Sequence, residues 1–436
     1  MKTPKRKTKH YSFPKKTFIK TRQGKWQDLL DKLPPESVDC VVMDGPYLLT
    51  DKKVGIQELM QCYLDGKEYV QKGQKGYNKA KWDNTIAGPE CFGKLMRVLK
   101  PGGHVLSFAP NKNADLMVLG MRTAGLTIKD TLFWTYSSGI QKGGYVGKRM
   151  KISKSQKFPA KLAAQFLDWA PDLRTATEHI ILAQKPIAEK SIGANVARYG
   201  TGALNIGAVR VPRADGKDGY PTNIITDESA AALHSLGQNS ENYLSAPFMS
   251  LDYLLSPFLH YEKPRNIDRD FGLDGYTPTK KKKQSFTGRK SASGKIKRPK
   301  GKNFHLTVKP IRLMQHLVRM VSGPGQVVLD PFMGSGSTGV ACALSGRSFI
   351  GMDADKHYFG MAKARINRAK KLATKYKAHD PVHISLLMDL ESTKAELVAL
   401  SKKIVKRRKV STKEHERHTK LSERMKVILH RLAVFK

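Results

Sequence analysis

Long apolar runs are missing from this chain of 436 residues. No stretch of roughly eighteen apolar residues occurs, and the basic N-terminus is not followed by the apolar core of a signal peptide. A membrane protein is therefore not predicted. We expect a soluble, intracellular protein in the cytoplasm or nucleoid, or in an infected host cell, and a nuclear location stays open.

Cysteine is scarce, and its spacing excludes the usual metal motifs. The four cysteines, Cys40, Cys62, Cys91 and Cys342, form no C-x-x-C pair and have no His-rich spacing beside them. The sequence therefore predicts no zinc or other metal site. Isolated thiols of this kind are typical of small buried hydrophobic residues in a reducing compartment.

Acidic residues are also few. The chain has 78 Lys and Arg against 37 Asp and Glu, a net charge of +41, while 40% hydrophobic residues supply a core. Such a charge predicts a polyanionic partner. Residues 1–27 contain ten basic residues and no acid, and residues 280–302 contain eleven and no acid. We interpret them as a disordered arm and an unstructured loop that contact nucleic acid, with solubilising tails or nuclear targeting signals as alternatives.

One segment has the pattern of a ligand-binding loop. VVLDPFMGSGSTG at 327–339 begins as a buried strand, turns at Gly334 and Gly336, and continues as a helix over 338–344. A second strand over 348–352 stops at Asp353, about 20 residues after the glycines, where dinucleotide-type sites hold a ribose hydroxyl. A nucleoside ligand is indicated, and an ordinary strand-to-helix turn is the alternative.

The loop departs from two common phosphate-binding patterns. No Lys follows the glycines in a G-K-[ST] arrangement, and the G-x-G-x-x-G order of nicotinamide and flavin enzymes is missing. A cofactor without a pyrophosphate is therefore favoured.

A second strand-to-turn unit lies far upstream. In VDCVVMDGPY at 38–47, an apolar strand ends at the turn Asp44-Gly45-Pro46-Tyr47. Open α/β sheets bind their ligands at the carboxyl ends of strands, so this turn is a candidate catalytic corner. Because Asp, Gly and Pro are common turn formers, a plain tight loop is the alternative.

Together the two units resemble the motifs of beta-class DNA amino-methyltransferases. In that class the catalytic [DNS]-P-P-[YFW] precedes a target-recognition insert, and the D-P-F-x-G-S-G-[ST] cofactor loop follows it, which is the order found here. The resemblance covers about 19–212 and 303–366, and its other segments are LKPGGHVLSFA at 99–109, FWTYSSG at 133–139, EHIILAQKP at 178–186, YGTGALNIGAVRVP at 199–212 and NFHLTVKPIRLM at 303–314.

The resemblance implies an α/β, Rossmann-like methyltransferase fold that uses S-adenosylmethionine, with a mostly parallel sheet, an inserted target-recognition region and a C-terminal helical extension. The expected divisions are a basic disordered arm at 1–27, a catalytic half at 28–211, an insert at 212–302 with its basic loop at 280–302, a cofactor half at 303–370 and a basic helical hairpin at 371–436.

The resemblance also implies roles for individual residues. It assigns catalysis to the corner, the cofactor pocket to the loop, the ribose to Asp353 and the methionine end of the cofactor to Lys309. The implied catalytic residues are Asp44, Gly45, Pro46 and Tyr47, and those lining the cofactor pocket are Asp330, Phe332, Gly334 and Gly336. Trp82 and Trp134 are candidates to flank the pocket, with core packing as the alternative.

The chemistry of amine methylation explains the corner. An exocyclic amine is a poor nucleophile because its lone pair is delocalised into the ring, so the site must supply hydrogen-bond acceptors. Asp44 offers its carboxylate, the carbonyl of Gly45 offers a second acceptor, and Tyr47 can stack on a flipped base. Gly45 replaces the family's first proline, which affects rate and preorganisation more than reaction type.

The implied substrate is duplex DNA, with adenine N6 favoured because family members with an acid at the first motif position mostly act on adenine. Cytosine N4 is the nearest alternative, and a non-catalytic nucleic-acid-binding or packaging protein and an RNA methyltransferase are the others. Whether a restriction partner exists is left open.

The C-terminal tail has two apolar stripes at helical spacing, with a candidate capping box at Ser411 and Glu414 between them. Each stripe would bury itself against the other or against a second subunit, so a homodimer is one expected arrangement. The stripes are Leu390, Leu397, Leu400 and Ile404, then Leu421, Met425, Ile428 and Leu432.

Overall fold

The structure is a computed structural model of the chain. It describes most of the sequence, with gaps that fall mainly between 227 and 301 and between 377 and 411. The described residues are 10–50, 53–72, 81–136, 144–153, 156–173, 175–212, 218–226, 264, 266–273, 276, 302–376 and 412–434, with separate positions between 390 and 404.

An eight-stranded sheet organises the described chain, in the order β1-β10-β9-β2-β3-β5-β4-β8. Only β5 runs antiparallel to its neighbours within this sheet. The predicted Rossmann-like α/β fold with a mostly parallel sheet is confirmed. The strands are β1 Ile19–Gln23, β2 Val38–Met43, β3 Leu99–Ala109, β4 Thr127–Thr135, β5 Thr177–Gln184, β6 Val211–Pro212, β7 Asp218–Gly219, β8 Ile224–Thr226, β9 Val327–Asp330 and β10 Ser348–Asp353, of which β6 and β7 form a separate pair.

Helices cover both faces of the sheet, as the buried parallel strands require. All six residues of β2 are buried. The helices are α1 Trp26–Asp31, α2 Ile56–Leu64, α3 Pro89–Val98, α4 Ala114–Thr123, α5 Val146–Ile152, α6 Ala160–Gln165, α7 Ile192–Tyr199, α8 Asn266–Asp270, α9 Ile311–Val321, α10 Ser337–Leu344, α11 Lys356–Tyr376 and α12 Thr412–Val434, with 3-10 turns at Lys81–Asn84 and Ile206–Val209.

Two apolar layers hold the helices on the sheet. On one face, α9, α10 and α11 contribute Leu317, Val340 and Ile366 to a buried cluster. On the other face, Leu30 of α1 and Phe92 of α3 pack with the opposite side of the strands. Burying a side chain of this size stabilises the fold by about 1.5–3 kcal/mol.

Parallel pairing gathers the candidate site residues at one edge of the sheet. β2 pairs with β9, and β9 pairs with β10, all in parallel. The turns after β2, β9 and β10 therefore leave the sheet side by side. Asp44 follows the first of these strands, while Asp330 and Asp353 end the other two.

The predicted disordered arm at 1–27 is wrong for its second part. Residues 19–23 form β1, which pairs in parallel with β10, and Trp26 begins α1. The Tyr11 N–H donates to the Ala197 carbonyl at 2.7 Å. Residues 1–9 lie outside the described residues.

Most of the predicted insert at 212–302, including its basic loop up to 301, lies outside the described residues. The described parts join the core. β8 pairs with β4. The Asp268 carboxylate of α8 accepts the N–H of Ile311, the first residue of α9, at 3.1 Å, and this bond attaches α8 to the core. The division at 212 thus separates β8 from the sheet to which it belongs.

The tail is described at α11, at α12 and at a few positions between them. Leu390 packs against Met425 and Ile428 of α12, so the two apolar stripes meet at this point. The candidate capping box at Ser411 lies outside the described residues. Within the described part of the chain, no helix is long and apolar enough to cross a bilayer.

Candidate active site

A cavity of about 310 Å³ opens at the carboxyl edge of the sheet, between the turns that follow β2, β9 and β10. The corner after β2 and the glycine loop after β9 therefore border the same cavity. Its lining includes the predicted residues Asp44, Gly45, Pro46, Phe332, Gly334 and Asp353, and also Gly24, Lys25, Trp26, Gln27, Trp82, Thr85, His305, Thr307, Pro331, Ala354, Asp355 and Tyr358.

The glycine loop is shaped for close approach. Gly334 has φ +51°, and a Cβ there would lie 2.6 Å from His305 Nε2, so only glycine fits. Its N–H donates to Asp353 Oδ2 at 2.9 Å. The loop and the acid at the end of β10, paired from the sequence by spacing alone, therefore contact each other directly.

Asp330 lies beneath the loop. Its side chain is 2% exposed, and its carboxylate accepts the Phe332 N–H at 3.0 Å and the Thr338 hydroxyl at 2.6 Å. Asp330 therefore shapes the turn, and it is not among the residues that line the cavity. Gly336 also does not line the cavity and faces Ala362 of α11.

The two acids of the cofactor loop are harder to ionise than ordinary aspartates. Burial raises the pKa of Asp330 to about 7, against the lowering effect of its hydrogen bonds to Thr338 and Phe332. Burial also raises the pKa of Asp353 to about 7. Both carboxyl groups therefore change charge near neutral pH.

At the corner, both carboxylate oxygens of Asp44 have partners. The Tyr47 hydroxyl donates to Oδ1 at 2.5 Å, and the Lys309 ammonium donates to Oδ2 at 2.6 Å. Burial and the negative charge of Asp44 raise the pKa of Tyr47 well above its usual value, so the phenol stays protonated as a donor. A carboxylate has about four lone-pair sites, so each oxygen keeps room for one further donor.

Lys309, for which the resemblance implies a place near the methionine end of the cofactor, lies beside Asp44 at the corner and is not among the residues that line the cavity. Its Nζ lies 3.6 Å from Glu178 Oε2 and 4.6 Å from the centre of the Phe108 ring. Burial lowers the pKa of Lys309, but the carboxylates of Asp44 and Glu178 outweigh this and hold it above the ordinary value. The side chain is therefore a buried, charged partner of Asp44.

Side chains from neighbouring elements hydrogen-bond to the backbone of the turn after Asp44. Leu48 has φ +54°, an uncommon conformation for a residue with a side chain. The Asn113 amide donates to the carbonyls of Tyr47 at 2.9 Å and Leu48 at 3.1 Å, and the Tyr47 N–H donates to Asp83 Oδ1 at 3.1 Å. These contacts fix the corner relative to α4 and the 3-10 turn.

Aromatic side chains surround the cavity. The Trp26 and Phe332 rings meet edge to face at 6.0 Å, and Trp82 stacks with His305 at 6.4 Å. Burial and the neighbouring Lys309 lower the pKa of His305 to about 3, so this imidazole is neutral. Planar, uncharged walls of this kind suit a heteroaromatic ring.

The two tryptophans that were candidates to flank the pocket lie in different places. Trp82 lines the cavity, whereas Trp134 is 1% exposed and packs in the core against Phe108 and Tyr136. Trp26 and His305 were missed as site residues. His305 lies within the segment 303–314 that the resemblance includes, so the sequence did indicate its region. Trp26 lies within 1–27, which was interpreted as a disordered arm.

The four cysteines are unpaired thiols, and Cys40, Cys91 and Cys342 are buried. Over the residues that the structure describes, no group of three or more His, Cys, Asp or Glu side chains is placed to hold a metal ion.

Comparisons with known proteins agree with the motif order. A family model described as DNA methylase matches residues 38–364. The Type II methyltransferase M2.DpnII of Streptococcus pneumoniae is 40% identical over 87 residues, which is 20% of this chain and 31% of the relative. The Type II methyltransferase M.HinfI of Haemophilus influenzae is 38% identical over 76 residues, 17% of this chain and 21% of the relative. The matched segments thus span less than a third of either relative.

Solved structures align over more of the chain at lower identity. The M1.HpyAVI-SAM complex is 14% identical with a TM-score of 0.36, covering 80% of this chain and 100% of that one. The PvuII DNA methyltransferase, described as cytosine-N4-specific, is 15% identical with a TM-score of 0.41, covering 84% and 96%.

Proposed function

The chain belongs to the N6/N4 DNA methylase family, and from that membership we propose that it methylates the exocyclic amine of a base in duplex DNA, with S-adenosylmethionine as the methyl donor. Adenine N6 is the favoured target because the first motif position is the acid Asp44. One observation carries the proposal: Asp44 and the Gly334–Asp353 contact border the same cavity.

The residues of the cavity fit this cofactor. Its volume of about 310 Å³ lies in the range of small-molecule sites. The Asp353 carboxylate would hold the ribose hydroxyls, and the rings of Trp26 and Phe332 offer apolar surface to the adenine. When bound, the cofactor supplies a methyl group that its sulfonium has already activated. The chain has only to align an amine with that methyl group.

Asp44 would provide that alignment. Its carboxylate accepts a hydrogen bond from the amine, and the Gly45 carbonyl accepts a second, so the nitrogen lone pair is directed away from the ring and toward the methyl group. The contacts of Tyr47 and Lys309 hold the carboxylate in one orientation before the base enters. Trp82, which lines the cavity, and Tyr47, whose hydroxyl bonds Asp44, would stack on the flipped base.

The rest of the chain would bind the duplex. A net charge of +41 favours association with phosphates, and flipping one base costs a few kcal/mol that such contacts offset. By its position between the two halves, the segment 212–302 would read the base sequence, and the C-terminal tail would serve as a helical hairpin or a dimer contact.

The test is transfer of labelled methyl from S-adenosylmethionine to unmethylated genomic DNA, with structured RNA as competitor, followed by nucleoside analysis. We expect N6-methyladenine in the DNA. Label at cytosine N4 would keep the reaction and correct the base. Label in the RNA alone would contradict the proposed substrate.

Replacing Gly45 with the family's proline is expected to preserve transfer or raise it a few-fold. A Cβ at Gly45 would meet Phe332 at 3.4 Å and Ala87 at 3.7 Å, both ordinary contacts, so a side chain fits at this position. By restricting the unfolded chain, proline at a compatible backbone position stabilises a fold by about 0.4–1 kcal/mol. The measurements are single-turnover rate and thermal unfolding of Gly45→Pro, with Gly45→Ala as the control. A large loss of rate in Gly45→Pro alone would show that the corner needs the flexibility of glycine.

Removing residues 1–9 is expected to weaken DNA binding at low salt and to flatten its salt dependence. The segment carries five basic residues, Lys2, Lys5, Arg6, Lys7 and Lys9. For each phosphate that the truncated chain no longer neutralises, the slope of log K against log salt becomes shallower by about 0.9. The truncation ends before β1, so the sheet is retained. Binding by the full chain and the truncated chain should be titrated from low to moderate salt. Equal slopes would reduce the segment to a spacer.

A further inference from the structure

Three charged side chains lie in a row behind the candidate corner. Lys309 stands between Asp44, whose Oδ2 is 2.6 Å from Nζ, and Glu178, whose Oε2 is 3.6 Å from it. Their side-chain exposures are 7% for Lys309, 15% for Asp44 and 19% for Glu178. Glu178 belongs to β5, two strands away from β2 in the sheet order. The fold therefore brings a second carboxylate to the catalytic corner.

The pairing of Asp44 with Lys309 alone would be a poor arrangement for amine methylation. As the new bond forms, positive charge develops on the amine nitrogen, and nearby groups stabilise this charge best when they carry net negative charge. A carboxylate bound to an ammonium is neutral as a unit. With Glu178 included, the row has two negative charges and one positive charge, a net charge of −1.

We infer that Glu178 and Lys309 are positioning residues for Asp44: Lys309 orients its carboxylate, and Glu178 keeps the row negative so that Asp44 remains an effective acceptor. The inference rests on the proposed function. In the step it serves, the amine lone pair forms the N–C bond, the electrons of the broken C–S bond stay on sulfur, and one amine proton passes to the Asp44 carboxylate. The row then changes from −1 to neutral.

The other ionisable groups around the row do not replace Glu178. Tyr136 and Tyr47 both stay protonated. Burial and nearby carboxylates, Glu178 among them, raise the pKa of each phenol. His305, which feels the charge of Lys309, is neutral. Two further carboxyl groups lie near the row among the described residues: Asp83, which accepts the Tyr47 N–H, and Asp330, whose pKa the charge of Asp44 helps to raise.

The experiment compares Glu178→Gln and Lys309→Met with the unaltered chain in single-turnover methyl transfer to DNA across a range of pH. Each variant removes one charge of opposite sign. Loss of the negative charge at 178 should move the acid limb of the rate to lower pH by about one unit, while the plateau falls roughly 10- to 100-fold. Loss of the positive charge at 309 should move the acid limb to higher pH.

Controls separate this role from a structural one. Glu189→Gln removes a carboxylate that pairs with Arg198 at 2.6 Å on the surface, and it should leave both rate and pH profile unchanged. Glu178→Asp and Lys309→Arg keep the charges and should recover part of the rate. Cofactor and DNA dissociation constants of Glu178→Gln should stay within about twofold of those of the unaltered chain, because only the transition state gains from the net charge.

Opposite shifts of the acid limb in the two charge-removing variants would support the inference. An unchanged acid limb in both, or a plateau in Glu178→Gln equal to that of the unaltered chain, would overturn it while leaving the proposed function intact. If the unaltered chain itself binds the cofactor and transfers no methyl to DNA, the proposed function fails, and this inference fails with it.

Discussion

Asp44→Asn is expected to lower the methyl-transfer rate by about 10³-fold while cofactor and DNA affinities change less than about twofold. Asparagine keeps the size of the side chain but replaces one charged oxygen with an NH₂ donor. Because Oδ1 faces the Tyr47 hydroxyl and Oδ2 faces the Lys309 ammonium, the amide avoids a donor–donor contact with Lys309 only by turning its NH₂ toward Tyr47, whose hydroxyl must then accept instead of donate. The amine of the base then meets a neutral amide that cannot take up its proton, and Lys309 retains Glu178 as an anionic partner.

The measurements are single-turnover transfer and equilibrium binding of cofactor and DNA to the variant. Asp31→Asn is a matched control, since that carboxylate pairs on the surface with Lys94 at 2.6 Å. The control should match the unaltered chain in every assay. Near-normal turnover in Asp44→Asn would mean that transfer does not depend on the charge of Asp44.

Asp353→Ala is expected to weaken cofactor binding roughly 10- to 100-fold, because hydrogen bonds to a charged group are worth about 1.5–3 kcal/mol. The variant would lose the ribose contact, and it would also release the loop, since Asp353 accepts the N–H groups of Gly334 at 2.9 Å and Asp355 at 2.7 Å. Part of the loss therefore comes from preorganisation. Saturating cofactor should restore much of the transfer rate, which separates this variant from Asp44→Asn.

The pKa of about 7 for Asp353 gives the same prediction a pH signature. Below pH 7 the carboxyl group is mostly protonated and is a weaker acceptor for ribose hydroxyls, so cofactor affinity should rise about tenfold between pH 6 and pH 8. Calorimetric titration at several pH values measures this rise. The isosteric Asp353→Asn should bind weakly with a flat profile, and Asp65→Ala, at an exposed site paired with Lys67, should behave like the unaltered chain. A steep profile that survives in Asp353→Asn would assign the titration to another group, such as Asp330.

The distribution of charge suits both partners of the proposed reaction. The chain has far more basic than acidic residues, yet Asp44, Asp353 and Asp355 line the cavity. A basic surface attracts the phosphates of DNA, whereas a small acidic cavity attracts a sulfonium cation. Because acidic residues are few in this chain, three of them at one edge of the sheet are stronger evidence for a site that attracts a cation.

Local sequence patterns predicted the parts of the site that are local in the fold. The strand, glycine turn and helix around Gly334 depend on neighbours in sequence, and so does the end of β10 at Asp353. The contact between Lys309 and Asp44 spans 265 residues, and no spacing rule reaches that far. Resemblance implied a role for Lys309 in the cofactor site, and only the packing of α9 against the sheet brings it to Asp44.

The misjudged N-terminal segment has a physical explanation. β1 reads IKTRQ, an edge strand in which basic and polar residues outnumber apolar ones. Charged edge strands protect a sheet from unwanted pairing, so charge density alone does not distinguish such a strand from a disordered arm. Its partner β10 supplies the apolar surface that Ile19 packs against.

A crystal structure of the chain with a non-reactive analogue of S-adenosylmethionine would show directly whether the cavity is a methyl-transfer site. We expect the ribose hydroxyls to bond to Asp353, the nucleoside to contact Phe332, and the group replacing the methyl to point toward Asp44. An analogue bound outside this cavity, or one oriented with the transferable group away from Asp44, would contradict the claim that the glycine loop and the corner form one methyl-transfer site.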